Sequence, residues 1–426
     1  MAKLKDFTKE ELLALEADLK AKFEEFKSRG LKLDMSRGKP GADQLAISNN
    51  LFDAVTSKDW GSDVSNAVLE YRNYGLLTGI TECKDIFAEL LGVPAKNVIV
   101  CGNSSLNLMF DFITQCMITG AGEKPWSEQG KIKFLCPAPG YDRHFGILQY
   151  YGIEMITVPM LADGPDMDKI AELVKDESVK GMFCVPKYSN PTGTTYSAEV
   201  VEKIAALKPA AKDFRIVWDN AYIIHDLEDT TEELVNIFDV LGKYDNDDMV
   251  VEFTSTSKVS FPGAGVSVLA ASDNNIKMIT SRMTMQTIGF DKLNQLRHVK
   301  FYKNLDGILN HMKLHKEILA PKFSAVVDAF NTELKEYDIA TWTEPKGGYF
   351  ISLDVIAGTA KRVGELCKEG GVVLTPVGAT FPYGIDPADQ NIRIAPTYPP
   401  VNELMLATEL LCICVKLAAV EKYLAD

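Results

Sequence analysis

Histidine is scarce in this chain, 5 among 426 residues. Its eight cysteines, at 83, 101, 116, 136, 184, 367, 412 and 414, are scattered, and the Cys412-x-Cys414 step has no second pair with partner histidines. Neither a zinc-type metal site nor a disulfide framework is expected, and the thiols read as buried and reduced. Positive charge is short as well: 45 Lys+Arg against 59 Asp+Glu leave a formal net charge of −14, with no Lys/Arg block. Nucleic acids and anionic membrane surfaces both select a basic face, so neither is an expected partner. No apolar run approaches the ~20 residues of a membrane helix. The opening stretch MAKLKDFTKEELLALE is too charged for a secretory signal, which makes the cytoplasm the expected location.

What the chain does have is length and pattern. Its 426 residues, 46% hydrophobic, allow two or three domains and a large core. Thr8 and Glu11 have capping-box spacing, and Leu12, Leu15, Leu19, Phe23 and Phe26 follow at helical intervals, so an amphipathic helix starts the protein. From residue 98 short apolar runs bounded by turn residues take over: Val98–Cys101, Ile132–Cys136, Ile153–Val158, Gly181–Val185, Ile216–Trp218, Val250–Phe253 and Val266–Ala270. Helix-like stretches separate the first six, which predicts an α/β domain with a mostly parallel seven-stranded sheet flanked by helices. The last two runs are joined without a helix and read as antiparallel neighbours. After Arg282 the pattern is helical through Leu293, Leu296, Val299, Leu305, Ile308 and Leu314. Phe350–Leu353, Val372–Leu374 and Ile392–Ile394 then read as strands of a smaller α+β unit closed by a helix from about Asn402.

Residues with chemical potential gather where these strands end. Lys258 follows a strand, preceded by Ser255 and Ser257 and followed by Pro262, Gly263 and Gly265, at the sheet edge where open α/β folds place their sites. An amine there can form a Schiff base with an aldehyde cofactor, and the two hydroxyls can bond a phosphate. Asp219 ends another strand; a carboxylate in that place can keep a pyridine nitrogen protonated, while Tyr222 can donate to a phenolic oxygen. Asn190, in Asn190-Pro191-Thr192-Gly193, can reach the same oxygen. Gly102, Asn103 and Ser104 stand between a strand and an apolar helix, where small residues and free N–H groups make an anion site. Tyr141 can lie flat against a cofactor ring, and His144 can bond Asp219 and keep it ionised. Arg393, on a C-terminal strand, offers a bidentate fork for an α-carboxylate. Each piece alone also has a bland reading: a loop lysine, an N-cap aspartate, an Asn-Pro turn, a capped helix, a surface ion pair.

Taken in order, these pieces resemble the fold-type I, aminotransferase class I family of pyridoxal-phosphate enzymes. The resemblance spans nearly the whole chain through G-x-x-x-L, P-x-Y, N-P-T-G, D-x-A-Y, S-x-S-K and a late arginine. It implies pyridoxal 5'-phosphate as cofactor, with Lys258 as the Schiff-base lysine and proton carrier. Asp219 pairs with the ring nitrogen, Tyr222 and Asn190 hold the phenolate oxygen, and Tyr141 stacks on the ring. Gly102, Asn103, Ser104, Ser255 and Ser257 surround the phosphate, and Arg393 clamps the substrate α-carboxylate. Tyr74 looks like the family's tyrosine that reaches the phosphate in the neighbouring subunit, which implies a homodimer with shared sites. The implied layout is a large cofactor-binding domain over 51–314 and a small domain over 315–426, joined by the N-terminal segment 1–50.

Two departures stand out. The family often carries an arginine eight residues after the lysine, and here that position is Val266; Lys39, Arg143 and Arg297 are candidates to supply the missing charge. In the run Ser36-Arg37-Gly38-Lys39-Pro40, Arg37 replaces an apolar residue beside the substrate side chain of many relatives, which suits a substrate with a second carboxylate. With the run from Gly289 to His298, the chain resembles a divergent bacterial subgroup of aspartate aminotransferases. The expected reaction moves the amino group of L-aspartate to a 2-oxo acid such as 2-oxoglutarate. Alternatives are an aminotransferase for aromatic or branched amino acids, a β-lyase, or a ligand-sensing aminotransferase-like domain of a transcription regulator. No helix-turn-helix pair precedes Leu51 to support the last, and no G-x-S-x-G elbow supports a hydrolase.

Overall fold

The computed structural model describes residues 3–59 and 70–425. Thr8 and Glu11 close the capping box, with Glu11 N–H donating to Thr8 Oγ1 (3.3 Å) and Thr8 N–H to Glu11 Oε2 (2.7 Å), and the helix Lys9–Ser28 follows. Leu12, Leu19, Phe23 and Phe26 on its inner face are buried against the last helix, Val401–Ala425. Both chain ends therefore share one core, which Ile351, Leu353 and Ile394 complete.

The N-terminal segment carries β1 (Leu33–Asp34). The central part of the chain carries β2 (Val98–Val100), β3 (Lys133–Ala138), β4 (Glu154–Leu161), β5 (Gly164–Pro165), β6 (Val179–Cys184), β7 (Arg215–Asp219), β8 (Val250–Ser255) and β9 (Ser267–Ala271). These eight form one sheet in the order β2-β9-β8-β7-β6-β3-β4-β5. Strands β4, β3, β6, β7 and β8 run parallel, while β9 is antiparallel to both β8 and β2. Seven strands fall on the seven apolar runs, because helices cover both faces and a strand buried on both sides needs apolar residues throughout. The eighth, β5, is a two-residue antiparallel addition to β4, too short to leave a periodic signal.

Towards the C-terminus, β10 (Ala340–Trp342), β11 (Ile351–Val355) and β13 (Asn391–Ile394) form an antiparallel sheet in the order β10-β11-β13. The strand β12 (Val372–Val373) does not join it but pairs in parallel with β1, tying the N-terminal segment to the C-terminal third. The helix Leu305–Glu333 crosses position 314 without a break. Its Ile308 and Met312 pack with Leu51 and Val259, whereas Leu319, Phe323, Val326 and Phe330 enter the core shared by the chain ends. The surroundings thus change between Met312 and Leu319 inside a continuous helix. Parallel β3, β6, β7 and β8 direct their carboxyl ends to one edge, where a crevice opens beneath the small C-terminal unit.

Candidate active site

That crevice is a cavity of about 570 Å³ that receives side chains from four strand ends, one helix start, the N-terminal segment and the C-terminal third of the chain. Ser104, Tyr141, Asn190, Asp219, Tyr222, Ser255, Ser257 and Lys258 reach it from the large sheet's side, and Arg37, Gly38 and Arg393 from the other. Asp219 is 3% exposed, and its Oδ2 lies 2.9 Å from His144 Nε2. The imidazole is itself stacked on Phe183, with ring centroids 4.3 Å apart, so it holds the carboxylate from behind without entering the cavity. Asp219 Oδ1 is buried and has no partner among the described residues. A bare carboxylate oxygen at the base of a polar cavity is an acceptor prepared for a donor from a ligand.

Lys258 Nζ lies 5.0 Å from the centre of the Tyr222 ring and 5.5 Å from that of Tyr349. Burial pushes its amine below the ordinary lysine range, against the pull of the Asp219 charge. Burial also raises the Tyr222 phenol well above its usual range, so this hydroxyl stays protonated and can donate. Tyr141 is pushed up to about 12, first by burial and then by the charges of Asp219 and Asp142.

The turn after the lysine is held by an unusual concentration of the scarce histidines. The Val259 carbonyl accepts from His315 Nε2 (2.9 Å), His311 Nε2 (3.1 Å) and Ser48 Oγ (3.3 Å). Because His315 Nε2 donates there, its Nδ1 is the acceptor for Gln44 Nε2 (3.0 Å), which also donates to the Tyr349 hydroxyl (2.8 Å). Burial pushes His315 down to about 4, and His298, bonded to Ser260 Oγ at 2.8 Å, down to about 4 as well. The unfolded chain takes up these protons near the ordinary histidine value of about 6.5 and the folded chain does not, so stability is lost as pH falls from there towards 4. We expect the thermal midpoint to drop between pH 7 and pH 5, equivalent to about 2 kcal/mol per histidine. His315→Gln should flatten that slope, and a midpoint independent of pH in this range would contradict the arrangement.

On the opposite wall, Arg393 Nη1 donates to Asp142 Oδ1 (2.9 Å) and to Asn190 Oδ1 (3.3 Å), and its Nε donates to Thr375 Oγ1 (3.3 Å). The guanidinium lies over Phe350, 4.9 Å from the ring centre. The same ring explains Gly38: a Cβ there would meet Phe350 Cζ at 2.2 Å. Another part of the cavity has hydroxyls and a helix start. Ser104 is the N-cap of the helix Ser105–Thr119 but makes no side-chain capping bond, so the first N–H groups stay available. Ser255 Oγ donates to Ser257 Oγ (3.0 Å), which donates to the Asn103 carbonyl (3.2 Å).

Four residues singled out from the sequence do not line the cavity. His144 stands behind Asp219. Gly102 and Asn103 flank the helix start, Gly102 accepting from Ser267 Oγ (2.8 Å) and Asn103 Nδ2 donating to the Pro262 carbonyl (2.9 Å). Tyr74 is 83% exposed and lies outside. Of the cations considered in place of an arginine at Val266, only Arg143 lines the cavity; Lys39 lies over the Tyr398 ring, and Arg297 over Phe52. Val266 itself is buried in an apolar cluster with Val100 and Val268. Sequence reasoning missed Asp142, Thr375 and Phe350, all in contact with Arg393. Asp142, directly after Tyr141, was the one within reach of a motif.

The chain matches the family described as aspartate amino-transferase over residues 7–426. It is 45% identical, over 99% of its length and 97% of the relative's, to an aspartate aminotransferase of Corynebacterium glutamicum. The crystal structure of an aspartate transaminase from that species superimposes with a TM-score of 0.96 at 45% identity, covering 99% of each chain. A putative aminotransferase from Corynebacterium diphtheriae gives 0.92 at 45% identity, over 95% of this chain and all of that one. Fold, cavity and these likenesses agree along nearly the whole length, and the chain belongs to the aspartate amino-transferase family, a family of transaminating enzymes.

Proposed function

We propose that the protein transfers the amino group of L-aspartate to 2-oxoglutarate with pyridoxal 5'-phosphate as cofactor. The observation that carries the cofactor is the unpartnered Asp219 Oδ1, which a ring N–H would satisfy, opposite a buried amine. The fit extends to the rest of the cavity. Ser104, Ser255, Ser257 and the adjacent helix start offer donors for a phosphate, with Gly102 and Asn103 shaping the loop around them. Asn190 has its Oδ1 engaged with Arg393, which leaves its amide N–H groups, with the Tyr222 hydroxyl, for a phenolate oxygen. Tyr141 supplies a ring face.

Pyridoxal phosphate supplies an aldehyde for the lysine amine and a protonated ring that takes up the electron pair left when a Cα proton departs. The protein's residues do the rest. Lys258 in its neutral form would serve as the base that takes the Cα proton and as the acid that gives it back, and its lowered pKa makes the neutral form accessible. Asp219, braced by His144, keeps the ring nitrogen protonated. Arg393 exchanges Asp142 for the substrate α-carboxylate and so orients the Cα–H bond. Arg37, on the wall formed by the N-terminal segment, takes the second carboxylate.

We infer a homodimer, because Tyr74 (83% exposed) and Ile288 (59%) adjoin Gly75 and Gly289, whose backbones lie against each other, and leave apolar side chains awaiting cover. The neighbourhood is held together by Lys292 Nζ donating to the Gly75 carbonyl (3.1 Å). Eight buried, unpaired cysteines suit a reducing cytoplasm.

Arg37→Ala tests the substrate. Loss of a charged contact to the distal carboxylate is expected to lower kcat/KM for aspartate by about 10²-fold while leaving that for alanine nearly unchanged. Equal turnover of aspartate, phenylalanine and alanine by the wild type, or indifference of aspartate turnover to Arg37→Ala, would remove aspartate as the substrate. Colourless purified protein without a borohydride-reducible imine would remove the cofactor.

A further inference from the structure

The same strand ends that present Asp219 to the main cavity present other groups to the opposite face of the sheet. Side chains alternate along a strand, so Trp218 and Asn220 point away from Asp219, and Glu252 on β8, opposite Trp218 in the register, points with them. There they line a second cavity of about 400 Å³, which shares no lining residue with the first. Asn220 is 3% exposed; its Nδ2 donates to Glu252 Oε1 (2.7 Å), and its Oδ1 is buried without a partner among the described residues. Glu252 is also 3% exposed, and no hydrogen bond is formed to its Oε2 among the described residues. Burial, opposed by the hydrogen bond from Asn220, pushes its carboxyl up to about 7, so the site can carry a negative charge at neutral pH but gains by receiving a cation.

The charge around this cavity has one sign in excess. Glu89, Glu232 and Glu233 stand at its rim, Glu232 in a partly exposed ion pair with Lys346 (3.7 Å), and Lys187 is the cation that lines it. Lys187 is already committed, its Nζ donating to the Ile223 carbonyl (3.0 Å) and lying 3.3 Å from Asp226 Oδ1. What remains is a set of acceptors: a bare amide oxygen, a bare carboxylate oxygen and an acidic mouth.

We propose that this second cavity binds a small primary amine in its ammonium form, with N–H groups donated to Asn220 Oδ1 and Glu252 Oε2 and the charge balanced by the rim glutamates. A metal cation fits less well, because the two inner acceptors are bonded to each other and offer only one free oxygen apiece. The site lies back to back with the proposed cofactor site: Asn220 follows Asp219 directly, and its N–H donates to the Phe253 carbonyl (2.8 Å). An ammonium group that holds Asn220 thereby bears on the peptide that carries Asp219. The binding claim does not rest on the substrate assigned above.

The test is calorimetric titration of the holoenzyme, its cofactor imine first reduced with borohydride so that no amine exchanges there, with propylammonium chloride, and with tetramethylammonium chloride as a cation that has no N–H to donate. One propylammonium per chain is expected at millimolar concentration, with tetramethylammonium at least about tenfold weaker. Glu252→Gln is expected to weaken propylammonium binding by about tenfold or more, as loss of a charge-assisted hydrogen bond does. Glu232→Gln, on the rim and outside the sheet, should weaken it a few-fold and keeps the test decisive if Glu252→Gln fails to fold. Absence of binding to the wild type, equal affinity for the two cations, or affinity unchanged in the folded variants would overturn the proposal.

Discussion

Replacing Lys258 by alanine is expected to abolish measurable transamination, a loss of at least about 10⁴-fold in kcat, and to remove the borohydride-reducible imine. The size of the effect follows from what else the cavity contains. Its other basic side chains are Arg37, Arg143 and Arg393, and a guanidinium with its pKa above about 12 cannot act as a base at neutral pH. Tyr141 and Tyr222 are held protonated by burial, which suits them to donate and unsuits them to abstract a proton. The lysine amine is the basic group of the cavity whose surroundings favour the deprotonated form that can accept a proton. The carboxylates that line the cavity, Asp142 and Asp219, are engaged with Arg393 and His144, and steady-state rates with aspartate, paired with the borohydride assay, measure both losses. A variant that retained more than a trace of turnover would assign the proton transfer to another residue.

Asp219→Ala is expected to lower kcat by about 10³-fold, the scale seen when one preorganised charge facing a reaction centre is removed. Two consequences combine. The ring nitrogen of the proposed cofactor loses the carboxylate that keeps it protonated, so the electron pair from the Cα–H bond has a poorer acceptor. His144, buried at 2% exposed and stacked on Phe183, loses the partner of its Nε2. Asp219→Asn separates these effects, since it retains a hydrogen-bonding oxygen for His144 but not the charge. Equal losses in both variants would show that the charge is the cause, whereas near-normal kcat in Asp219→Asn would remove the pyridinium role. Cofactor retention, read from the visible absorbance after gel filtration, distinguishes a chemical defect from a binding defect.

The large sheet was legible because its central strands are buried on both faces, which forces runs such as Val98–Val100 and Ile216–Trp218 to be apolar throughout, whereas β4 nearer the edge is only partly buried. Short or half-exposed strands carry no such constraint. β5, with two residues, and β10, with alternating partial exposure, left no readable signal, and the true partner of β12 is a dipeptide far away in sequence. The change of surroundings near residue 315 falls inside the helix Leu305–Glu333, where no linker composition marks it.

The site divides in the same way. Local order along the chain determined which side chains stand at strand ends, and Lys258, Asp219, Tyr222, Asn190 and Tyr141 were recognisable because each follows an apolar run within a few residues. Only the tertiary structure decided which of them face one another. Arg393 meets Asp142 across 251 positions of sequence, and Gly38 is needed because Phe350 occupies the space its side chain would take. The Val259 carbonyl gathers donors from Ser48, His311 and His315, and Asn220 and Glu252 open a second cavity on the far face of the strands that build the first. Periodicity along a chain specifies which face a residue joins. The distance and direction between two faces depend on sheet twist, helix packing and chain closure, which no local pattern encodes.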